Sequence, residues 1–341
     1  NGAPDREAVV IGSPTATSAA EQPDNVTFEH NRIVAGKNGG HRGIALHGRK
    51  TTIRHNRIEN FFEIGRESQG ICGWNGPGPY LIEDNFIEAS GENIMFGGAD
   101  VYIPNMNPSN ITIRRNVLHK PKRWQGTKIT VKNSFELKTG VDVVFEDNTI
   151  DGNWTMGQAG TPIVLTPRGD FPWAQVDRVV IRNNVVRNTP DAYAVNFLGL
   201  DDHNVSQPIR SLTIEDNVFL DSPRGLLIDR AGQLTLMVRR NAFLGITHHF
   251  IQSNGAALPR FDFLQNVARA GAYAIHRSDA RVGSPSWQAT RTAGDFLGNV
   301  IELPDGHTLS LPSGNRLIPA GGLAVLLTSE GRLRDGSAGP R

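Results

Sequence analysis

The sequence predicts an all-β solenoid, a single-stranded parallel β-helix of about ten coils. One motif recurs along the chain, an alternating strand that ends on Asn and restarts with an apolar residue: TTIRHNRI, YLIEDNFI, ITIRRNVL, VVFEDNTI, VVIRNNVV and LTIEDNVF. The repeats are 24–36 residues long, a period typical of solenoids. Within each repeat, apolar and polar residues alternate in short runs broken by Gly, Pro, Asn and Asp, which indicates strands rather than helices.

The Asn of the motif marks a fixed position in every coil. It recurs ten times, at Asn31, Asn56, Asn85, Asn116, Asn148, Asn184, Asn217, Asn241, Asn266 and Asn299. Asn tolerates the left-handed backbone conformation of a tight corner, and stacked amides can hydrogen-bond from coil to coil. We therefore expect a ladder of Asn side chains at one corner, ending at Asn299.

Each repeat supplies three strands. Runs such as RGIALHG (42–48) and SFELKTG (134–140) are predicted to form the first sheet. The Asn-terminated runs form the second sheet, the short runs after Asn form the third, and long connections form the remaining corner. Alternation directs Phe135 and Leu137 into the coil and leaves Glu136 and Lys138 outside.

The predicted organisation has one repeat region with two ends. Residues 1–24 are a cap or the end of an upstream coil, and residues 25–300 form the β-helix. Residues 301–341 are expected to form irregular strands that cover the open end, which a solenoid needs for solubility, and then a loose polar tail.

Composition narrows the classes of partner. The formal net charge of +1 argues against electrostatic binding to nucleic acid or to a membrane surface. Cys72 is the single cysteine, so no internal disulfide forms. The sequence contains no run of 18 apolar residues, so membrane insertion is not predicted. The sequence starts at Asn1 without a signal peptide, as a processed product would, and we expect a secreted or cell-surface protein. Composition leaves the oligomeric state open.

Residues of outward parity predict a polar and aromatic stripe along the first sheet. Trp rings stack on sugars, and polar groups bond hydroxyls, so the stripe suits an extended polysaccharide. The predicted substrate-binding residues are His47, Trp74, Asn196, Asp229, Asp201 and Asp202. The Asp201–Asp202 pair is either the paired carboxylates of an inverting glycosidase or an ordinary turn.

The predicted catalytic centre is the pair Glu136 and Lys138, two residues apart on one strand. The pair is an acid–base couple, or an ion-binding carboxylate beside a catalytic lysine, or else an ordinary surface salt bridge. Asp100 and Arg168, from turns in the flanking coils, are expected at the same height and complete the predicted catalytic set.

Three segments carry a family resemblance: QGICGWNGPGPYLIEDNFIEASGENIMFGGAD, VKNSFELKTG and TPIVLTPRGDFPWAQV. They resemble bacterial secreted right-handed β-helix proteins of the pectate-lyase-like superfamily, which implies a right-handed coil and a substrate groove along the first sheet. In alginate and chondroitin lyases of this fold, a similar strand supplies calcium ligands and a lysine base. The resemblance therefore implies Glu92, Glu136 and Asp100 as ligands if calcium is used; no other cofactor is expected.

Three classes of function follow from these observations, and the first is a polysaccharide-cleaving enzyme, either a lyase or a hydrolase. As a lyase, the protein would use Lys138 to abstract the proton next to a uronate carboxyl group, Arg168 to neutralise that group, and Glu136 to orient the lysine or bind an ion. As a hydrolase, it would pair Glu136 with Asp100 or Asp229. The alternatives are a non-catalytic carbohydrate-binding or cell-surface module and a spacer without a ligand, and the fold alone does not decide between them.

Overall fold

The chain coils into a solenoid built from three parallel sheets. The computed structural model describes residues 7–201, 203–306 and 308–328. Successive turns add strands to each sheet, and neighbouring strands come from consecutive turns. Ladder hydrogen bonds within the sheets therefore run between coils. The all-β parallel β-helix predicted from the sequence is confirmed.

The strands, numbered along the chain, follow the three predicted classes. The first sheet contains β1 (Glu7–Ile11), β4 (Arg42–Leu46), β7 (Gln69–Gly73), β10 (Glu92–Phe96), β13 (Phe135–Leu137), β16 (Ile163–Leu165), β19 (Tyr193–Leu198), β22 (Arg224–Asp229), β25 (His249–Asn254) and β28 (Ala274–His276). The second contains β2 (Thr27–Glu29), β5 (Arg49–Arg54), β8 (Gly78–Glu83), β11 (Ser109–Arg114), β14 (Gly140–Glu146), β17 (Val176–Arg182), β20 (Ser211–Glu215), β23 (Thr235–Arg239), β26 (Arg260–Leu264) and β29 (Phe296–Leu297). The third contains β3 (Arg32–Val34), β6 (Arg57–Phe61), β9 (Phe86–Ala89), β12 (Val117–His119), β15 (Thr149–Asp151), β18 (Val185–Arg187), β21 (Val218–Phe219), β24 (Ala242–Phe243), β27 (Val267–Arg269), β30 (Val300–Glu302) and β31 (Arg316–Ile318).

Helical segments are short and lie outside the sheets. They are the α-helices α1 (Ser284–Thr290) and α2 (Gly322–Leu326) and the 3₁₀ turns Ala19–Glu21 and Lys122–Trp124. In the part of the chain that the structure describes, no helix has the length and apolar character needed to cross a bilayer.

Alternate side chains of the strands fill the interior. One inward row of the first sheet, fully buried and paired from coil to coil, is Ile44, Ile71, Ile94, Phe135, Ile163, Val195, Leu226, Ile251 and Ile275. Phe135 also stacks on Phe145 of the second sheet, with ring centroids 4.3 Å apart. Full burial of such a side chain stabilises the fold by about 1.5–3 kcal/mol. The inward parity predicted for Phe135 and Leu137 is confirmed.

The ten predicted Asn residues form one continuous ladder. At Asn148, Oδ1 accepts hydrogen bonds from the backbone N–H of Asn116 at 2.9 Å and from its side-chain amide at 3.0 Å. The amide of Asn148 donates to Ile113 O at 2.9 Å and to Asn184 Oδ1 at 3.2 Å. Each Asn amide thus hydrogen-bonds backbone N–H and C=O groups at the corner of its own coil and of the neighbouring coil. The tight corner leaves these groups without hydrogen bonds to a neighbouring strand.

Two details of the ladder differ from the prediction. The left-handed residue of the corner is the one before the ladder Asn, as at Asp147 with φ 56° and Arg115 with φ 54°. The ladder Asn therefore serves through its amide rather than through its own backbone conformation. The ladder also continues past Asn299, because Asn315 Oδ1 accepts the Asn299 backbone N–H at 2.9 Å.

The two ends of the chain carry regular structure beyond the predicted repeat region. β1 pairs with β4 in the first sheet, and β31 pairs with β30 in the third. The expected irregular covering strands are replaced in part by α2, whose Leu323 packs with Val267 and Val300 on the third sheet. The Leu323 backbone N–H donates to Glu302 Oε2 at 2.8 Å. The predicted tail from residue 329 onward lies outside the described residues.

The ladder geometry predicts a large loss of stability on Asn148→Leu. Leucine removes the amide bonds at a buried corner, at a cost of about 1–3 kcal/mol for each buried group left without a partner. Chemical denaturation should show this as a lower midpoint with an unchanged slope. Asn31→Leu is the matched control, because Asn31 is exposed at the first rung and has a partner rung on one side only. Equal losses in the two variants would contradict the burial argument.

Candidate active site on the first sheet

The outer face of the first sheet carries a row of side chains in register. The row, paired coil to coil, is Ala45, Cys72, Met95, Glu136, Val164, Asn196, Leu227, Gln252 and His276. Polar groups enter this row at Glu136, and the residues before it are small or apolar. Polar side chains in this row are therefore found only from β13 onward.

Glu136 and Lys138 lie side by side on that face, as parity predicts. Lys138 Nζ is 3.9 Å from Glu136 Oε1, and Asn133 donates to Glu136 Oε2 at 2.8 Å. The Glu136 side chain is 6% exposed, whereas that of Lys138 is 19% exposed. Gly97 adjoins the lysine on the preceding coil, where a Cβ would lie 2.8 Å from Lys138 Cβ. Lys138 is thus the member of the pair that a ligand on the surface would reach.

Further charged residues join the pair into a network. Lys132 Nζ lies 3.0 Å from Glu92 Oε1 and also bonds the carboxylate of Glu67. Gln69 donates to Glu92 Oε2 at 3.1 Å. Lys132 and Glu67 were missed by sequence reasoning because both lie in connections, where parity gives no direction. The available signal was the segment VKNSFELK, in which Lys132 stands close before the strand.

Burial and mutual repulsion set the charge of this network. Burial raises the pKa of Glu92 to about 7, and the negative charge of Glu136 adds to the effect. Burial alone would lower the pKa of Lys132, but the carboxylates of Glu92 and Glu67 outweigh it and raise that pKa. Burial opposes ionisation of Glu67 too, yet the hydrogen bond from Lys132 lowers its pKa. Glu92 therefore changes charge near neutral pH, whereas Lys132 and Glu67 stay ionised.

A buried lysine holds the corner that precedes Glu92. Lys120 Nζ donates to the carbonyl oxygens of Ala89 at 2.8 Å, Ser90 at 3.0 Å and Gly91 at 2.7 Å. Burial lowers the pKa of Lys120 to about 7, although the charge of Glu92 opposes this change. The three bonds fix the backbone from which Glu92 projects, so Lys120 is a positioning residue for the network.

Arg168 lies on the coil next to Lys138 and is held there by Asp201. The Arg168 backbone N–H donates to Lys138 O at 2.8 Å. Its guanidinium lies 2.9 Å from Asp201 Oδ1, and the Asp201 side chain is fully buried. Burial alone would raise the pKa of Asp201, but the hydrogen bond from Arg168 lowers it. The carboxylate of Asp201 is therefore buried against Arg168 rather than presented on the open face, and its contact with substrate stays a prediction. Asp202 lies outside the described residues.

Two other predicted substrate-binding residues are also buried. His47 is fully buried, Trp74 is 9% exposed, and their rings meet edge to face at 4.3 Å. Asn75, whose backbone N–H donates to His47 Nδ1, is bonded in turn to Ala16 and Gln22 of the segment after β1. This segment covers the face at its amino-terminal end, so the predicted open platform at His47 and Trp74 is wrong.

The remaining predicted residues are accessible but separate. Asn196 and Asp229 are half-buried on β19 and β22, further along the same sheet. Asp100 lies in an exposed turn after β10, and no described hydrogen bond or ion pair joins it to Glu136 or Lys138. The predicted catalytic set therefore assembles as Glu136, Lys138 and Arg168, without Asp100.

The residues predicted to bind calcium do not fit such a site. The ammonium of Lys132 already bonds both Glu67 and Glu92, and it occupies the position that a cation between these carboxylates would take. Within residues 7–201, 203–306 and 308–328, no cluster of three or more His, Cys, Asp or Glu side chains could hold a metal ion. The positive charge at this site comes from lysine.

A cleft of about 530 Å³ lies elsewhere, where strands β12, β15 and β18 of the third sheet end. Its lining includes His119, Asp151, Trp154 and Asn188, and none of the predicted site residues. The candidate active site is a shallow charged surface on the first sheet and is distinct from this cleft.

Comparison with known proteins identifies the family. The family model described as right handed beta helix region matches residues 15–186, half of the chain. The chain belongs to this family. No curated protein matches the chain. Among solved structures, it is similar to the crystal structure of the Dettilon tailspike protein, with 12% identity over 89% of this chain and a TM-score of 0.49. The match spans 55% of the tailspike chain, about half of its length.

Family membership agrees with the resemblance noted from the sequence and confirms the right-handed coil. The match ends within β18, so it includes the coils that carry Glu92, Glu136, Lys138 and Arg168.

The raised pKa of Glu92 predicts a specific pH dependence of stability. Between the ordinary pKa of 4.5 and about 7, native Glu92 holds a proton that the unfolded chain has lost. Stability attributable to this group therefore falls as pH rises through that window. Glu92→Gln should remove on the order of 1–3 kcal/mol from the difference in unfolding free energy between pH 5 and pH 8, measured with urea.

The control for this prediction is Glu83→Gln. Hydrogen bonds from Arg114 and Arg115 outweigh burial and lower the pKa of Glu83, so its contribution to stability is present at high pH and is lost on acidification. Because that loss occurs below the ordinary pKa of 4.5, Glu83→Gln should leave the difference between pH 5 and pH 8 nearly unchanged. An unaltered difference between pH 5 and pH 8 in Glu92→Gln would show that Glu92 is ionised throughout.

Proposed function

We propose that this protein binds and cleaves an acidic polysaccharide on the outer face of its first sheet by β-elimination. One observation carries the proposal: a partly exposed lysine, Lys138, lies between a buried carboxylate network and the guanidinium-bearing coil of Arg168. A general base and a cation for the substrate carboxylate are the two groups that elimination at a uronate requires.

The proposed roles follow from accessibility and charge. Lys138 acts as the general base and takes the proton on the carbon next to the uronate carboxyl group. The electron pair of that C–H bond forms a C=C bond as the adjacent C–O bond to the next sugar breaks. The proton taken by Lys138 then passes to the leaving oxygen, which regenerates the base. Arg168 pairs with the uronate carboxylate and thereby stabilises the charge that develops on it. Asp201 and Glu136 hold Arg168 and Lys138 in place.

Hydrolysis by a carboxylate pair has less support. A glycosidase needs two carboxyl groups on opposite sides of the scissile bond. Glu92, the carboxylate nearest to Glu136 in the network, is fully buried. Asp100 and Asp229 make no described contact with Glu136. Elimination is favoured over hydrolysis because its base, Lys138, is the member of the pair with Glu136 that is accessible from the surface.

The substrate class gives the expected location. Acidic polysaccharides belong to cell walls, matrices and capsules, so we propose that the protein acts outside the cell or at its surface. The partner is a polysaccharide chain lying along the sheet.

The proposal predicts that Lys138→Ala loses activity without losing stability. The test incubates wild type and variant with polygalacturonate, alginate and chondroitin sulfate and follows the ultraviolet absorbance of unsaturated uronate. Removal of the base should lower the rate by roughly 10²–10⁴-fold. The melting temperature should change little, because the pair to Glu136 is long and partly exposed.

Lys37→Ala is the control, since Lys37 is an exposed lysine in the turn after β3 and is not part of the first sheet. Full activity in Lys138→Ala would refute the assignment of the base. Binding of these polysaccharides by wild type without any product would instead indicate a non-catalytic carbohydrate-binding module.

A further inference from the structure

Beyond the lysine network, the same outer face carries four aromatic rings in contact. Tyr193 and His249 have centroids 5.7 Å apart, His249 and His276 are also 5.7 Å apart, and His276 lies 5.8 Å from Tyr273. They come from β19, β25, β28 and the turn before β28. None of the four was assigned a role by sequence reasoning, and together they form an aromatic patch on the first sheet.

Tyr193 lies along the sheet rather than standing out from it. Its hydroxyl donates to Gln252 Oε1 on β25, and β22 lies between the two strands. Two strand spacings amount to about 9–10 Å, so only a ring laid across the sheet reaches that far. Tyr193 remains half-buried, and a ring in this orientation presents part of its face to solvent.

One positive charge accompanies the patch. The guanidinium of Arg224, on the strand between Tyr193 and His249, lies 5.6 Å from the Tyr193 ring centroid. Among the described residues Arg224 forms no ion pair with a carboxylate, whereas arginines on the second sheet, such as Arg114 and Arg182, are paired. Asp229, which carries the carboxylate of the same strand, lies five residues after Arg224 and forms no described ion pair with it.

The histidine beneath the patch adds no charge. Burial lowers the pKa of His249 to about 4, and the nearby charges of His276, Arg224 and His248 add to the effect. His249 is therefore neutral at neutral pH and contributes a ring surface. The patch combines stacked rings, the amides of Asn196 and Gln252, and a single guanidinium.

We infer that this patch is a subsite for an anionic sugar unit, whose apolar ring face stacks on Tyr193 and whose carboxylate or sulfate pairs with Arg224. Aromatic side chains offer an apolar face with polar groups at the edge, which matches a pyranose ring. Arginine suits carboxylate and sulfate groups because its planar fork donates two parallel hydrogen bonds.

The inference rests on the proposed function, which supplies the path of the polysaccharide across the first sheet. β19 is two strands from β13, about 10 Å along the solenoid axis. The register places Lys138 level with Leu198 of β19, so Tyr193 lies five residues, or roughly 16 Å, to one side of it. A polysaccharide that crosses the sheet obliquely would contact Lys138 and Tyr193 at the same time. The subsite would therefore hold an acidic chain several sugars away from the bond that is broken.

The test measures binding in the Lys138→Ala background, so that no substrate is consumed. The probes are polygalacturonate for carboxylate, chondroitin sulfate for sulfate with carboxylate, and amylose as a neutral chain, each followed by affinity electrophoresis. Tyr193→Ala should weaken binding of the acidic probe roughly tenfold, and Tyr193→Phe should retain it. Arg224→Gln should weaken acidic probes and leave amylose unchanged, and the probe most affected identifies the anionic group.

Phe86→Ala is the matched control, because Arg57 lies 4.4 Å from the Phe86 ring centroid on the third sheet. Unchanged binding in both Tyr193→Ala and Arg224→Gln, an equal loss in Phe86→Ala, or no binding of any acidic probe would overturn the subsite. Arg224→Gln decides the matter if Tyr193→Ala does not fold. If binding depends on Tyr193 but the wild type cleaves no probe, the lyase function is overturned and the subsite is retained. If the wild type cleaves a probe but Tyr193→Ala and Arg224→Gln bind it as tightly as before, the subsite is overturned and the lyase function is retained.

Discussion

The structure depends on one constraint, the filling of a narrow interior by alternate side chains of short parallel strands. The inward row of the first sheet from Ile44 to Ile275 is apolar and fully buried, and this fixes the strand register. A slip of one residue at β13 would bring Glu136 into the interior and expose Phe135 and Leu137. The same constraint that stabilises the coil therefore orients the candidate site.

The Asn ladder complements this constraint at a corner that side-chain packing cannot reach. The corner needs a left-handed residue, and the amide of the following Asn bonds the backbone groups that this turn leaves free. Because each amide also bonds the next rung, the coils keep the same corner geometry along the axis.

The charged network shows how a buried cluster is tolerated on the outside of a β-helix. Three carboxylates, Glu67, Glu92 and Glu136, lie near two lysines, Lys132 and Lys138. Burying a carboxylate is costly unless it is paired or protonated. Glu67 is paired with Lys132, whereas Glu92 has a pKa close to neutrality. The network can therefore hold its geometry while the charge of Glu92, next to Lys132, changes with pH.

The sequence by itself determined the repeat, the three strand classes, the ten ladder positions and the outward direction of Glu136 and Lys138. These properties depend on periodicity within a strand, which the order of residues records directly. Only the tertiary structure decided that Lys132 and Glu67 reach Glu92, that Asp201 is committed to Arg168, that His47 and Trp74 are covered, and that Tyr193 lies across two strands. Those contacts join connections and coils that are 33–65 residues apart, and their geometry is set by stacking and by irregular backbone, for which alternation gives no rule.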